Sequence, residues 1–559
     1  MAFLCSVGCT NQHYRKAADK AAYGAIGQKT PLVKNMDEHF TIEETNKLFV
    51  DALPVKREVD EYLGRDGQAE RSARILSLER ALEIAVNHNR TYQSQKEQLF
   101  LTALALTLAR HQFAPIFSAR GNGTYSVTTA DVVDYIPDPN DPTKQIPVIG
   151  AALQESRNVT GNGQAVGSLL LRTGARLSAA FTTDFLRYLT GDPRSQTSSH
   201  LLGTVIQPLW RGGGYKVTME NLTQSERNLL YALRDFARFR KDFSVQIATA
   251  YYQVLQNRDA VRNNYLNLQN SRKNAERTRA LAREGRVAQA DLGRLEQQEL
   301  SVESQWIGAV NNYKQALDRF QIQLGGAMRT NFVLDDRELE QLKIIHPNIG
   351  MEDSIKVALA TRLDYQNARE RFEDAERKID VAANALRAQV DLVASAGIDS
   401  PQQTVSRFAV PEIDRYHWNA GLNLDLPLER TAERNAYRTA LIAREQTRRA
   451  LDQQQDDINL QVRDSWRALD QAKRNYEISE IGVKLAERRV EEQNLLAELG
   501  RARAQDQVDA QNDLANSRNQ RTQALVGHVI ARLQFWDNLG ILYIKDNGQW
   551  EELADAKAK

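Results

Sequence analysis

The stretch Leu495–Asp513, LLAELGRARAQDQVDAQND, reads as the end of one helix, a turn at Gly500 and a second helix starting near Arg503. Asp506 and Asp509 are three positions apart, so they share one face of that second helix. The same design occurs earlier as LAREGRVAQADLGRLEQQ, whose turn at Gly285 lies 215 positions before Gly500. At that offset Arg286 falls on Arg501, Asp291 on Asp506 and Gly325 on Gly540. A helix–turn–helix repeated at a fixed offset is an internal duplication.

The duplication extends upstream. Ile247, Val254, Val261, Leu268 and Ala275 recur every seven residues, and 215 positions later Val462, Leu469, Tyr476, Val483 and Val490 do the same. Two long helices therefore carry apolar seams in one register. Ser465, Ala472, Ser479 and Ala486 follow the first four seam positions of the second copy by three, and small residues there allow close helix approach. Further upstream, Leu78–Gln93 resembles Met351–Gln366 at an offset of 273. The two offsets differ by 58 residues, so the first copy carries an insertion between Gln93 and its long helix.

The 73 basic and 72 acidic side chains are interspersed and leave a net charge of +1, which offers no footprint for nucleic acid. Cys5 and Cys9 are the only cysteines in 559 residues, so no disulfide framework staples the body. There is no run of 18 apolar residues, hence no expected spanning helix. A membrane role would have to come from strands, whose signal per segment is weak. At the N-terminus a short apolar run ends in Ser6-Val7-Gly8-Cys9. Residues 1–9 read as the remnant of a signal with a lipidation site at Cys9, a start upstream of Met1 being what would account for the short run, the alternative being an ordinary tail with two incidental thiols. Residues 10–75 read as an extension packed along the body.

Proline maps the architecture, because it breaks helix interiors. None occurs between Pro208 and Pro347 or after Pro427. Those windows hold very long helices, about 214–283 and 430–499, each roughly 105 Å long at the helical rise. Helices at about 78–113 and 287–324 are half that length, and two of them stacked end to end match one long helix. Prolines cluster at about 115–208 and 401–427. There the pattern alternates with period two. Val390, Leu392, Ala394, Ala396 and Ile398 oppose Asp391, Ser395 and Asp399, while Trp418, Ala420, Leu422 and Leu424 oppose Asn419, Asn423 and Asp425. In the insertion, alternation covers 117–127, 175–185 and about 200–207, with a possible fourth piece at Val166–Leu171. The helices before and after it lie on one side of any membrane, so the number of crossings is even.

The expected fold is mainly α with a β-barrel portion, built from a duplicated helix–strands–long helix–helix unit. Repeat 1 spans 76–330 with strands at about 115–208. Repeat 2 spans 331–545 with strands at about 389–427, and 546–559 form a tail. Order, duplication and motifs together resemble the TolC-like outer-membrane efflux family. The motifs are Leu76-Ser77-Leu78-Glu79 with Ala81-Leu82, Gln207-Pro208-Leu209 with the glycines at 212–214, and Gly500-Arg501 followed by Asp506, Asp509, Ala510 and Gln511. The resemblance covers about residues 76–540. The copy-two exit, Leu426-Pro427-Leu428, lacks the glutamine and glycines of the first.

That resemblance implies a homotrimer in the outer membrane, with a composite transmembrane barrel and a helical tunnel in the periplasm. It implies a passive export channel of a tripartite efflux or type I secretion system. The partners are outer-membrane lipid, a periplasmic adaptor and an inner-membrane pump of RND, ABC or MFS type. It places Asp506, Asp509 and Asp291 at the periplasmic constriction, with Arg501 and Arg503 as lock partners. Rings of carboxylates favour cations and raise one another's pKa. The turns Gly285-Arg286-Val287 and Gly500-Arg501-Ala502 would dock the adaptor. His200, Trp210 and the other scattered histidines and tryptophans read as packing or interface residues and not as ligands, and no cofactor, metal or catalytic set is expected. The alternatives are a coiled-coil structural protein, which leaves the amphipathic strands unexplained, and a periplasmic adaptor, which has one hairpin and not two copies.

Overall fold

The structure, a computed structural model, describes residues 10–43, 53–139, 141–190, 194–285, 288–325, 331–401, 408–499, 501 and 503–551. In chain order it runs α1 (Asn11–Lys29), β1 (Arg74–Leu76), α2 (Leu78–His88), α3 (Arg90–His111) and β2 (Ile116–Asp138). Then come β3 (Asp141–Leu170), β4 (Arg176–Tyr188), β5 (Ser195–Pro208), α4 (Glu220–Arg283), α5 (Gln289–Gln323) and β6 (Phe332–Leu334). It ends with α6 (Met351–Thr361), α7 (Leu363–Ala385), β7 (Gln389–Asp399), β8 (Tyr416–Asp425), α8 (Thr431–Glu498) and α9 (Ala504–Asn538). The chain divides into a helical unit of residues 1–103, 228–371 and 448–559, and a second unit of 104–227 and 372–447.

In the helical unit the heptad seam of α4 is its buried face. Ile247, Val254, Val261, Leu268 and Ala275 are all buried, and Val462, Leu469 and Val483 are their counterparts on α8. Tyr92 closes an aromatic cluster with Phe236, Phe239 and Phe243. The helix expected at about 78–113 is interrupted at Asn89, where the backbone is extended. The same break recurs 273 positions later at Arg362. A turn fills each break. Gly325 has φ +77, and a Cβ there would lie 2.0 Å from the His88 carbonyl oxygen. Gly540, with φ +74, packs against Thr361 and Arg362 in the same way. Only a residue without a side chain allows both the left-handed backbone and this approach.

Residues 53–76 strap across α4 and α5 through buried charges. Arg258 is ion-paired with Asp60, with Glu70 at 3.2 Å and with Asp336 at 3.2 Å. Its Nε donates to the Tyr62 hydroxyl at 3.0 Å, and the Tyr313 hydroxyl donates to Glu70 at 2.8 Å. Lys56 adds a second cation against Asp60 and Glu70. β1 extends into a parallel pair with β6, which joins the starts of the two repeats.

A second polar hub lies where α7 begins. Asp364 pairs with Arg238 and with Arg362 and accepts from Gln454. Its side chain is largely buried, because the break at Arg362 turns it inward. Nearby, Asp537 is hydrogen-bonded to Asp242. Burial, then that bond and the charge of Asp242, push the Asp537 carboxyl up to about 8 against the pull of Lys241 and Arg238. A raised folded pKa means stability that is full below the unfolded value, near 4, and lost as pH rises through 8. Asp537→Asn cannot ionise. Its unfolding free energy should therefore stay flatter than the parent's between pH 4 and 8, as urea titrations followed by circular dichroism would show. Parallel pH profiles would contradict the shared proton.

The second unit holds one six-stranded sheet in the order β2-β3-β4-β5-β7-β8, every pairing antiparallel. The insertion thus supplies four strands, an even number, and the piece at Val166–Leu171 is the end of the 30-residue β3. β3 pairs with β4 only from Asn158 to Leu170. Beyond that point β2 and β3 continue as a two-stranded ribbon to Asp138 and Asp141. The β2–β3 hairpin thus joins the sheet at its base and extends past it at its tip. The sheet carries Arg110–Glu226, Arg227–Asp374 and Arg377–Glu220 ion pairs beneath it, between the helix ends that enter and leave it. No described helix is long and apolar enough to cross a membrane.

Candidate functional site

Two regions carry the functional expectations: the hairpin turns of the helical unit and the faces of the sheet. At the end of α8, Leu499 N–H donates to the Leu495 carbonyl at 3.1 Å and Arg501 N–H to Leu496 at 2.8 Å, which closes the helix terminus. Gly500 and Ala502 lie outside the described residues. Arg503 has an extended backbone and begins α9, with its carbonyl accepting from Asp506 and Gln507 N–H. Asp506 is exposed in the first turn, where the helix dipole favours a carboxylate. Asp509, one turn on, is half-buried and accepts from Gln505 Nε2 at 2.9 Å. Arg501 and Arg503 are both exposed, and among the described residues no ion pair joins either to Asp506 or Asp509. In the first copy Gly285 turns with φ +72, and Asp291 is half-buried in the first turn of α5. Arg286, Val287 and Cys9 lie outside the described residues.

Two cross-helix pairs near the second turn were not anticipated. Arg489 pairs with Asp513, and Arg518 with Glu487 at 3.0 Å. They hold α8 and α9 together above the turn. Asp513 is exposed on its helix and is committed to Arg489. Of the small residues expected to allow close helix approach, Ala486 is buried, whereas Ala472 and Ser479 border an open groove. Ala468, Ala472, Ser479 and Gly482 face Ala524 and Gly527 of α9 across an open groove of about 680 Å³.

α8 differs from α4 in its outer surface. Ile478, Ile481, Leu485, Leu495 and Leu499 are all more than half exposed, in a stripe of near-heptad spacing. On α5, Leu300 and Ile307 are likewise exposed, seven residues apart.

The sheet register sorts its side chains. Phe117, Gly167, Ala179, Gly203, Ala396 and Trp418 lie in one row across all six strands, on the same face. Leu201, Val205, Leu392 and Leu422 share that face and are exposed. The opposite face carries Arg120, Asn162, Asp184, His200, Asp399 and Asn423. On it, Asp399 holds two imidazoles: His200 Nδ1 at 2.8 Å and His417 Nδ1 at 3.1 Å. The His417 ring lies over Gly397, where a Cβ would sit 2.6 Å from it. His200 is thus part of a three-strand polar cluster and not simply a packing residue. Its position on the polar face follows from period-two alternation; its partners depend on pairing between distant strands.

This architecture matches solved structures. The chain superposes on the Campylobacter jejuni CmeC outer membrane channel with a TM-score of 0.60 and 12% identity, covering 86% of this chain and 88% of that one. The fold is that of the TolC-like outer-membrane channels. Within that fold the open state of the Neisseria gonorrhoeae MtrE outer membrane channel matches at a TM-score of 0.57 and 12% identity, over 83% and 89% of the two chains. The outer membrane protein VceC of Vibrio cholerae matches at 0.55 and 14%, over 83% and 96%. No protein-family model matches the sequence, and no curated protein matches it. The likeness to outer-membrane channels is one of fold, carried by element order and packing.

Proposed function

We propose that this protein is the outer-membrane channel of a tripartite efflux or type I secretion system. It is a passive conduit from periplasm to exterior and performs no catalysis. The observation that carries this reading is the six-stranded sheet, apolar and exposed on one face, polar on the other. β7 and β8 have 11 and 10 residues, the length that crosses a bilayer as a tilted strand. β2 and β8 are each paired on one side only, and a sheet in lipid needs every edge paired. Three copies joining β8 of one to β2 of the next close a barrel of eighteen strands, six from each chain. The bare apolar stripes of α8 and α5 support the same homotrimer, since such stripes are covered in a finished assembly.

In this reading most of the chain lies in the periplasm, and lipid covers the row from Phe117 to Trp418. Asp506 and Asp509 ring the periplasmic constriction, with Asp291 beside them and Arg501 and Arg503 as counter-charges. The turns at Gly285–Val287 and Gly500–Ala502 receive a periplasmic adaptor, which links the channel to an inner-membrane pump. Lipidation at Cys9 would tether the N-terminus to the membrane. The test is direct. The purified protein should migrate as a heat-modifiable trimer, fractionate with the outer membrane and conduct ions in planar bilayers. Crosslinkers at Val287 or Ala502 should capture an adaptor from the periplasmic side. A monodisperse monomer that still conducts, or labelling of those turns from outside intact cells, would overturn the assignment.

A further inference from the structure

Repeat 2 rebuilds, with different side chains, a buried site that repeat 1 fills with a closed hydrogen-bond network. The correspondence is fixed by one bond in each repeat. The Tyr251 hydroxyl donates to the Leu76 carbonyl at 3.0 Å, and Trp466 Nε1 donates to the Ile349 carbonyl at 3.1 Å. Those donors are 215 positions apart and the acceptors 273, the two offsets of the duplication. The same offset places His528 on Tyr313 and Lys473 on Arg258. In repeat 1, Tyr313 is fully enclosed and bonded to Glu70, with Arg258 Nη1 at 3.4 Å from its hydroxyl.

His528 is equally enclosed, at 0% exposure, but neither of its ring nitrogens has a hydrogen-bond partner among the described residues. The neighbouring ring is His346, in the segment leading to Ile349, with its centroid 6.0 Å away. Its Nδ1 is buried and also without a partner there. Buried polar atoms are almost always satisfied, and leaving one unmet costs about 1–3 kcal/mol. Three unmet nitrogens on two contacting rings therefore point to a missing ligand.

Its chemistry follows from the donors. An enclosed imidazole with no hydrogen-bond partner keeps a ring nitrogen lone pair available to a metal. Two imidazoles sharing one metal, at metal–nitrogen distances of about 2.0–2.1 Å, place their centroids roughly 5–6.5 Å apart. The observed spacing falls inside that range. The cations of α8 are balanced: Lys473 lies 4.0 Å from Glu477 and Arg474 3.0 Å from Asp470. Arg532 is stacked on Trp536.

We propose that His346 and His528 form a binding site for a divalent first-row transition metal such as Zn²⁺ or Cu²⁺. Water completes the coordination, since imidazole suits these ions. The metal clamps the segment before α6 onto α9, the task that Glu70, Arg258 and Tyr313 perform in repeat 1. The exposed cluster of Asp37, His39 and Asp546 is the competing site, and its Asp546 already faces Arg240 at 3.7 Å.

The experiment is calorimetric titration of the full, tag-free protein in detergent with ZnCl₂. One ion should bind per chain. His346→Ala and His528→Gln should each weaken binding at least tenfold, while His39→Ala and His417→Asn leave it unchanged. His346 lies in a connecting segment, so its variant tests the site even if the His528 variant fails to fold. Zinc X-ray absorption should show imidazole scattering from two rings. Equal affinity in His346→Ala, or binding lost only in His39→Ala, would overturn the proposal.

Discussion

Arg258→Met should destabilise the helical unit by about 3–5 kcal/mol, the usual cost of removing one partner from a buried ion pair. The Arg258 side chain is 3% exposed and faces three carboxylates, of Asp60, Glu70 and Asp336. Burial already pushes the Asp336 carboxyl up, and Arg258 is the largest opposing influence. Methionine fills similar volume, so the loss reports charge and hydrogen bonding and not a cavity. Lys56 alone would remain against Asp60 and Glu70. The strap of residues 53–76 should also become protease-sensitive, because Tyr62 loses its bond to Arg258 while Trp306 keeps donating to the Tyr62 carbonyl. Chemical unfolding in detergent, followed by helical circular dichroism, reads the shift. Arg279, paired with Glu296 at 3.1 Å on the surface, is the contrast: Arg279→Ala should cost less than about 1 kcal/mol. Similar small losses for both would show that the Arg258 network contributes no more than a surface pair.

Asp506→Asn combined with Asp509→Asn should lower the cation preference of the channel by roughly tenfold and weaken block by trivalent cations. A focused field of several kT changes local counter-ion concentration by about that factor or more. In a trimer the double variant removes six carboxylates from one constriction. Carboxylates ringed closer together than a Debye length of about 8 Å are poorly screened by salt. Folding should survive. Asp506 gains at most about 1 kcal/mol from the dipole of α9, and Asn serves nearly as well at a helix start. Asp513→Asn is the control, since Asp513 is committed to Arg489 across the hairpin. Asp364→Asn is unsuitable as one, because it opens the hub of Arg238 and Arg362. Single-channel recordings decide it, and unchanged selectivity in the double variant would move the constriction elsewhere.

Sequence alone determined the long helices, because proline-free windows with a seven-residue apolar seam leave few other structures. The seam residues of α4 are all buried; on α8 Val462, Leu469 and Val483 are, while Tyr476 and Val490 are half-buried. It also determined the duplication, since equal offsets link Gly285 to Gly500 and Gly325 to Gly540. The strand faces followed from period two. What local pattern could not determine is anything set by a distant partner. The breaks at Asn89 and Arg362 exist because Gly325 and Gly540 press on them from helix ends far along the chain. Asp364 sits inward for that reason, although its neighbours in sequence suit a solvated helix. The Arg258 network, the His200–Asp399–His417 cluster and the enclosed pair of His346 and His528 join residues from separate elements. The length of β3 and its split between sheet and ribbon were likewise decided by pairing, because hydrogen bonds to β4 end where β4 ends. Periodicity reports which face of an element is buried; only the tertiary structure reports what that face meets.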